Sequence, residues 1–157
     1  MRLITFNIAY GTGGPRSMKE SLLHAGHYLR TPQRNIEKIR RFLTSHHPDI
    51  AALVEIDIGS FRTRSVDQAQ LVASALGARV QAGVKYGKRS IGRSIPILRR
   101  QGNAIFTTLE GSVIKYHYLA AGFKRLVIEL DWNGVSVFLV HLALHGATRG
   151  RQLRLLR

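Results

Sequence analysis

The run Ile50-Ala51-Ala52-Leu53-Val54 constrains this chain more than any other feature: apolar residues without alternation, closed off by Glu55. A short run of that kind reads as a strand buried on both faces, so both sides must be covered. Residues 2–8, "RLITFNI", make a comparable strand with one misfit. Asn7 is a poor strand former, and burying its amide without partners costs free energy. The text that follows, "YGTGG", is too glycine-rich to pack against anything.

Between these strands, "PQRNIEKIRRFLTSHH" puts Ile36, Ile39, Phe42 and Leu43 on one helical face, with Pro32 at its start and Pro48 just beyond its end. A second helix, about 65–76, carries Val66, Ala69, Leu71, Val72 and Leu76 and stops at Gly77. A weak strand over 78–84 precedes "NAIFTTL", "SVIKYHYL", "KRLVIELDW" and "VSVFLVHL", and Asn133-Gly134 joins the last two as a type I′ hairpin turn. Alternating helices and strands followed by a meander predict an α/β fold, a single mixed β-sheet with helices packed on one face. At 157 residues this is one domain. The final "TRGRQLRLLR" begins a helical pattern with Leu153 and Leu156 on one side and then breaks off, which reads as an interrupted helix.

Charge adds the next constraint. Lys and Arg total 24 against 9 Asp and Glu, a net of +15. Such an excess serves solubility, or it marks a polyanionic partner: nucleic acid, or less favoured, an anionic membrane surface. The segment 85–101, "KYGKRSIGRSIPILRRQ", holds Lys85, Lys88, Arg89, Arg93, Arg99 and Arg100 without an acid. It reads either as a solvated loop or as a phosphate-contacting arm. The absence of cysteine excludes disulfides and thiolate metal sites. No secretory signal is legible, and no apolar stretch nears the roughly 18–20 residues that span a bilayer, so a cytoplasmic protein is expected.

Asn7 and Glu55 both stand at the C-terminal end of apolar strands, where open α/β sheets place their ligand sites. Asp57 follows Glu55 by two, which on a regular strand aims both carboxylates the same way. His141 ends another apolar strand, and Asn103 precedes one in "QGNAIFTT". Each also has a plain structural reading, as a solvated strand end, a rim histidine or a turn residue. His24, His27, His46 and His47 read as solvated helix-end residues, and His145 follows His141 in a loop rather than on a helix face.

Taken in order, "RLITFNIAYG", "HPDIAALVEID", "GNAIFTT" and "LVHLALH…RGRQLRLL" resemble the endonuclease/exonuclease/phosphatase superfamily of metal-dependent phosphoesterases. Val54 stands where the second motif usually has glutamine. The resemblance implies about half of a four-layer α/β/β/α sandwich. It implies Mg²⁺, with Mn²⁺ as the alternative, held by Glu55, and the spacing makes Asp57 the expected support behind that carboxylate. It also implies Asn7 and His141 as catalytic groups and Asn103 as a substrate contact, and the basic segment adds Arg89 and Arg93 as expected substrate contacts. The later motifs of the family, "GDFN" and "SDHxP", do not occur in the 157 residues. The sequence therefore reads as the N-terminal part of such a domain. The implied activity is phosphodiester hydrolysis by a nuclease or phosphodiesterase. The alternatives are a nucleic-acid-binding remnant without catalysis, or a lipid or inositol phosphoesterase.

Overall fold

The computed structural model describes residues 1–13, 30–84, 98–122 and 124–156. A four-stranded sheet in the order β1-β2-β4-β3 is built from β1 (Leu3–Asn7), β2 (Ile50–Asp57), β3 (Arg79–Val84) and β4 (Gln101–Thr107). β1 and β2 are parallel, and β4 runs antiparallel to both of its neighbours. The crossover between the parallel strands carries α1 (Gln33–His46), and α2 (Gln68–Leu76) links β2 to β3. Asp67 caps α2 by accepting from the Ala69 and Gln70 amides, and Gly77 ends it in the left-handed conformation.

The helices cover one face of this sheet. Ile36 and Leu43 of α1 and Ala69, Val72 and Ala73 of α2 meet Ala51, Leu53, Ile56, Ala104 and Phe106. Phe42, expected on the same buried stripe, is 45% exposed and lies edge-on to Phe6 at the margin of the helix. β1 departs further from expectation. Among the described residues it pairs only with β2, and its residues alternate between exposed and half-buried, so it is an edge strand rather than one buried on both faces.

The single sheet expected from the sequence is instead two. The strands β5 (Val113–Tyr118), β6 (Leu126–Trp132) and β7 (Val135–Val140) form a separate antiparallel sheet in the order β5-β6-β7. Their apolar residues explain the split. Ile50, Ala52 and Ile105 project from the helix-free face of the first sheet, and Leu126, Ile128, Leu130 and Leu139 close over them. The second face is apolar too, and the chain's own hairpins seal it. The result is an α/β mixed structure, a partial α/β sandwich.

Asn133 and Gly134 both have positive φ, as a type I′ turn requires, and they set the register Val127↔Val140. That register brings the residues just before β6 and just after β7 to one end of the sheet. The last helix, α3 (Gly146–Leu155), follows from there. Its fully buried side chain is the polar Gln152, while Leu153 and Leu156 stay 48% and 42% exposed. Among the described residues, no helix is long and apolar enough to cross a membrane.

If the second sheet is integral to the core, Ile128→Ala should lower unfolding free energy by about 2–5 kcal/mol in urea titration, as truncations of buried residues do. A loss below half a kcal/mol would mean that the hairpins are merely docked.

Candidate functional site

The site is organised by an irregularity in β2. Val54 faces Asn103 and Ile56 faces Gly102, so Glu55 is an extra residue with no partner across the ladder. Its φ of 60° lies in the left-handed region, uncommon for a residue other than glycine. This is a β-bulge, the device by which strands re-aim a side chain. The Asn103 side chain holds it open: its Oδ1 accepts the Glu55 N–H at 3.2 Å. Asn103 is 1% exposed, and its Nδ2 has no hydrogen-bond partner among the described residues.

Glu55 is thereby turned toward the second sheet. The Lys124 ammonium, two residues before β6, lies 3.4 Å from Glu55 Oε1. The same ammonium lies 2.7 Å from Nε2 of His141, the residue directly after β7. His141 Nε2 is 3.8 Å from Glu55 Oε1. All three side chains are more than three-quarters buried, at 18%, 21% and 15% exposure for Glu55, Lys124 and His141. A lysine ammonium has only donors, so His141 Nε2 accepts, and its ring proton resides on Nδ1. Glu55 and His141 therefore meet as the sequence reading required, but between two sheets rather than on the rim of one.

Asn7 lies at the same end. It pairs with Val54 across the β1–β2 ladder, and the next amide, Ile8 N–H, donates to Val54 O at 3.1 Å. Its side chain is occupied locally: Oδ1 accepts the Ala9 N–H at 2.8 Å and starts the tight turn of Ala9–Gly11. An asparagine suits that place because it can form this turn with its own backbone. Asn103 is in the interior of β4, not ahead of it.

Asp57 lies elsewhere. The bulge breaks the two-residue period that would have aligned it with Glu55. Its carboxylate receives the Arg62 guanidinium at 2.7 Å, both side chains fully buried, together with the Ser60 amide and hydroxyl at 2.6 Å each. The Arg62 guanidinium lies 4.8 Å from the centre of the Tyr10 ring. These contacts tie the loop after β2 to the start of the chain. Arg89 and Arg93 lie outside the described residues. Arg99 and Arg100 are exposed, and Arg100 donates to Ile58 O.

Lys124 is the residue that the sequence reading missed. The hairpin register was the available signal: once Asn133-Gly134 fixes Val127 against Val140, residue 124 falls close to the segment that follows β7.

No protein-family model matches the chain, and no curated protein does. Solved structures do. An endonuclease/exonuclease/phosphatase from Beutenbergia cavernae DSM 12333 aligns with 99% of this chain and 42% of its own, at TM-score 0.58 and 18% identity. The human Nocturnin catalytic domain with bound sulfate anion aligns with 99% of this chain and 56% of its own, at TM-score 0.61 and 18% identity. The chain has the endonuclease/exonuclease/phosphatase fold. An endonuclease/exonuclease/phosphatase family protein from Leptotrichia buccalis C-1013-b adds a TM-score of 0.56 at 11% identity, over 99% of this chain and 61% of its own. The chain thus spans about half the length of the structures it matches.

Glu55 and Asp57 should separate cleanly in stability measurements. Asp57→Ala strands a buried guanidinium and should cost about 3–5 kcal/mol. Glu55→Gln keeps the bulge amide and the side-chain volume and should stay within about 1 kcal/mol of the parent. Similar melting temperatures for the two variants would show that Asp57 is not part of the scaffold.

Proposed function

We propose that this chain carries the phosphate-binding and metal-binding part of a phosphoesterase that acts on phosphodiesters, with nucleic acid as the favoured substrate class. The observation that carries the reading is the bulge. A strained glutamate turned out of a β-strand, against a lysine and a histidine, is a costly arrangement of the kind that clusters at functional sites. The fold shared with phosphatases and nucleases supports it, as does the net charge of +15.

Among the described residues no group of three or more His, Asp and Glu side chains is disposed to hold a metal. A single carboxylate is nevertheless a fitting donor for Mg²⁺, which commonly takes one or two carboxylates and fills its shell with water and phosphate oxygens. Glu55 would be that carboxylate. Bound there, Mg²⁺ would polarise the phosphoryl oxygens and stabilise charge in the transition state, and Mn²⁺ could replace it.

The chain's own groups supply the rest. Lys124 spends two donors on Glu55 and His141, and its third is available to a phosphate oxygen. Asn103 Nδ2, buried and unpartnered among the described residues, offers a second donor without adding charge. Held as an acceptor, His141 orients the ammonium, and Lys124 is the donor in this arrangement. Asn7, itself exposed, completes the rim, with its side-chain carbonyl in the turn. Water attack on the phosphate also requires groups that position the nucleophile, which in this family come from motifs that these 157 residues do not contain. The net charge of +15 by itself carries a second reading, a nucleic-acid binder that does not cleave.

One assay series separates the two. The 157-residue chain should bind single-stranded oligonucleotides with an affinity that falls steeply with salt, and should hydrolyse them little. The protein carrying the remaining motifs should show Mg²⁺-dependent hydrolysis that EDTA removes and that Glu55→Gln reduces by at least about a hundredfold. Turnover insensitive to EDTA, or unchanged in Glu55→Gln, would overturn the phosphoesterase assignment. Absence of turnover in the longer protein would leave binding as the function.

A further inference from the structure

Lys124 has a second surrounding besides Glu55 and His141. A cavity of about 740 Å³ lies between the β5–β6 turn, the loop after β7 and α3. Its walls are small and apolar, formed by Ala121, Gly122, Ala143 and Leu144. Its polar edge holds Lys124, His145, Thr148 and Arg151, with no acidic side chain among the described residues.

The cavity is a built feature. Gln152 is fully buried behind it and ties all three walls together. Its Nε2 donates to Ala121 O at 3.0 Å and to Lys124 O at 2.7 Å, and its Oε1 accepts the Ala143 N–H at 2.8 Å. Gly122 makes the close approach possible: a Cβ there would fall 2.9 Å from Gln152 Nε2 and 3.0 Å from Thr148 Cγ2.

We infer that this cavity receives the base and ribose of a nucleotide whose phosphate lies at Lys124. The inference rests on the phosphoesterase reading and names its substrate. Lys124 borders both spaces, so a phosphate on its third donor places the esterified group at the mouth of the cavity. The volume lies within the roughly 300–1,000 Å³ of small-ligand sites. Alanine and leucine walls suit a flat heterocycle and offer little to a bare, hydrated sugar. The Arg151 guanidinium and the His145 imidazole are planar groups on which a base can stack. Leu144 stands 84% exposed at the rim, and a ring laid against it removes apolar surface from water.

Titration calorimetry on the full chain with adenosine 5′-monophosphate, ribose 5-phosphate and inorganic phosphate tests this. The nucleotide should bind at least about tenfold more tightly than ribose 5-phosphate, the gain expected from stacking one base. Ala143→Trp, which fills the cavity, should abolish that preference while inorganic phosphate affinity stays within about twofold. Arg151→Gln, at an exposed position where folding is not at risk, should reduce the preference by at least about threefold. Lys124→Met should weaken all three probes together. Equal affinity for nucleotide and ribose 5-phosphate, with inorganic phosphate still bound through Lys124, overturns the cavity assignment and leaves the phosphoesterase reading standing. Failure of every probe to bind, or indifference to Lys124→Met, overturns the phosphoesterase reading and the cavity assignment with it.

Discussion

The hydrogen bond from the Glu55 amide to Asn103 Oδ1 fixes where chemistry can occur in this molecule. In an unbroken strand, residue 55 would continue the face of Ala51 and Leu53, beneath the helices. The bulge hands that position to Ile56, which joins Ala51 and Leu53 in the helix-side core. Glu55 is released toward the other sheet. The local conformation costs on the order of 1–3 kcal/mol, and the cross-strand amide keeps it from relaxing. An isolated carboxylate inside the core would cost far more.

The second sheet supplies the other half of the arrangement. Ile50, Ala52 and Ile105 need cover, and Leu126, Ile128 and Leu130 of β6 provide it. Packing thus decides where β6 and β7 lie. The I′ turn decides their register, and the two together place Lys124 and His141 against the bulge. A hydrophobic requirement on one face of β2 therefore assembles a polar cluster at its end. The Asp57–Arg62 pair does separate work, anchoring the loop after β2 so that the bulge is followed by a firm exit.

Much of this was legible in residues that act locally. Asn133-Gly134 announced its turn, Gly77 its helix end, and the uninterrupted run from Ile50 to Val54 its burial. Glu55, Asn103 and His141 stood out as polar residues in apolar strands. The missing pieces depend on contacts distant in sequence. Alternating apolar residues show that a face needs cover but not which strands provide it, so two sheets read as one. A bulge leaves no simple trace when its extra residue is a glutamate instead of a glycine, and Asp57 was assigned to the wrong side for that reason. Lys124 in "FKRLVIEL" looks like any solvated lysine until the hairpin register is drawn. Gln152 sits among leucines that the helical period would have buried first.

Among the described residues, Gln152 hydrogen-bonds only to backbone groups: the carbonyls of Ala121 and Lys124 and the amide of Ala143. Backbone atoms do not change when a side chain is replaced. The turn and the loop can therefore exchange their lining residues in descent without loosening the frame that holds them. Only Gly122, with φ of +83° and no room for a Cβ, is bound to its identity. Selectivity at this end of the molecule can drift between related proteins while its scaffold stays constant, because the two are encoded in different atoms.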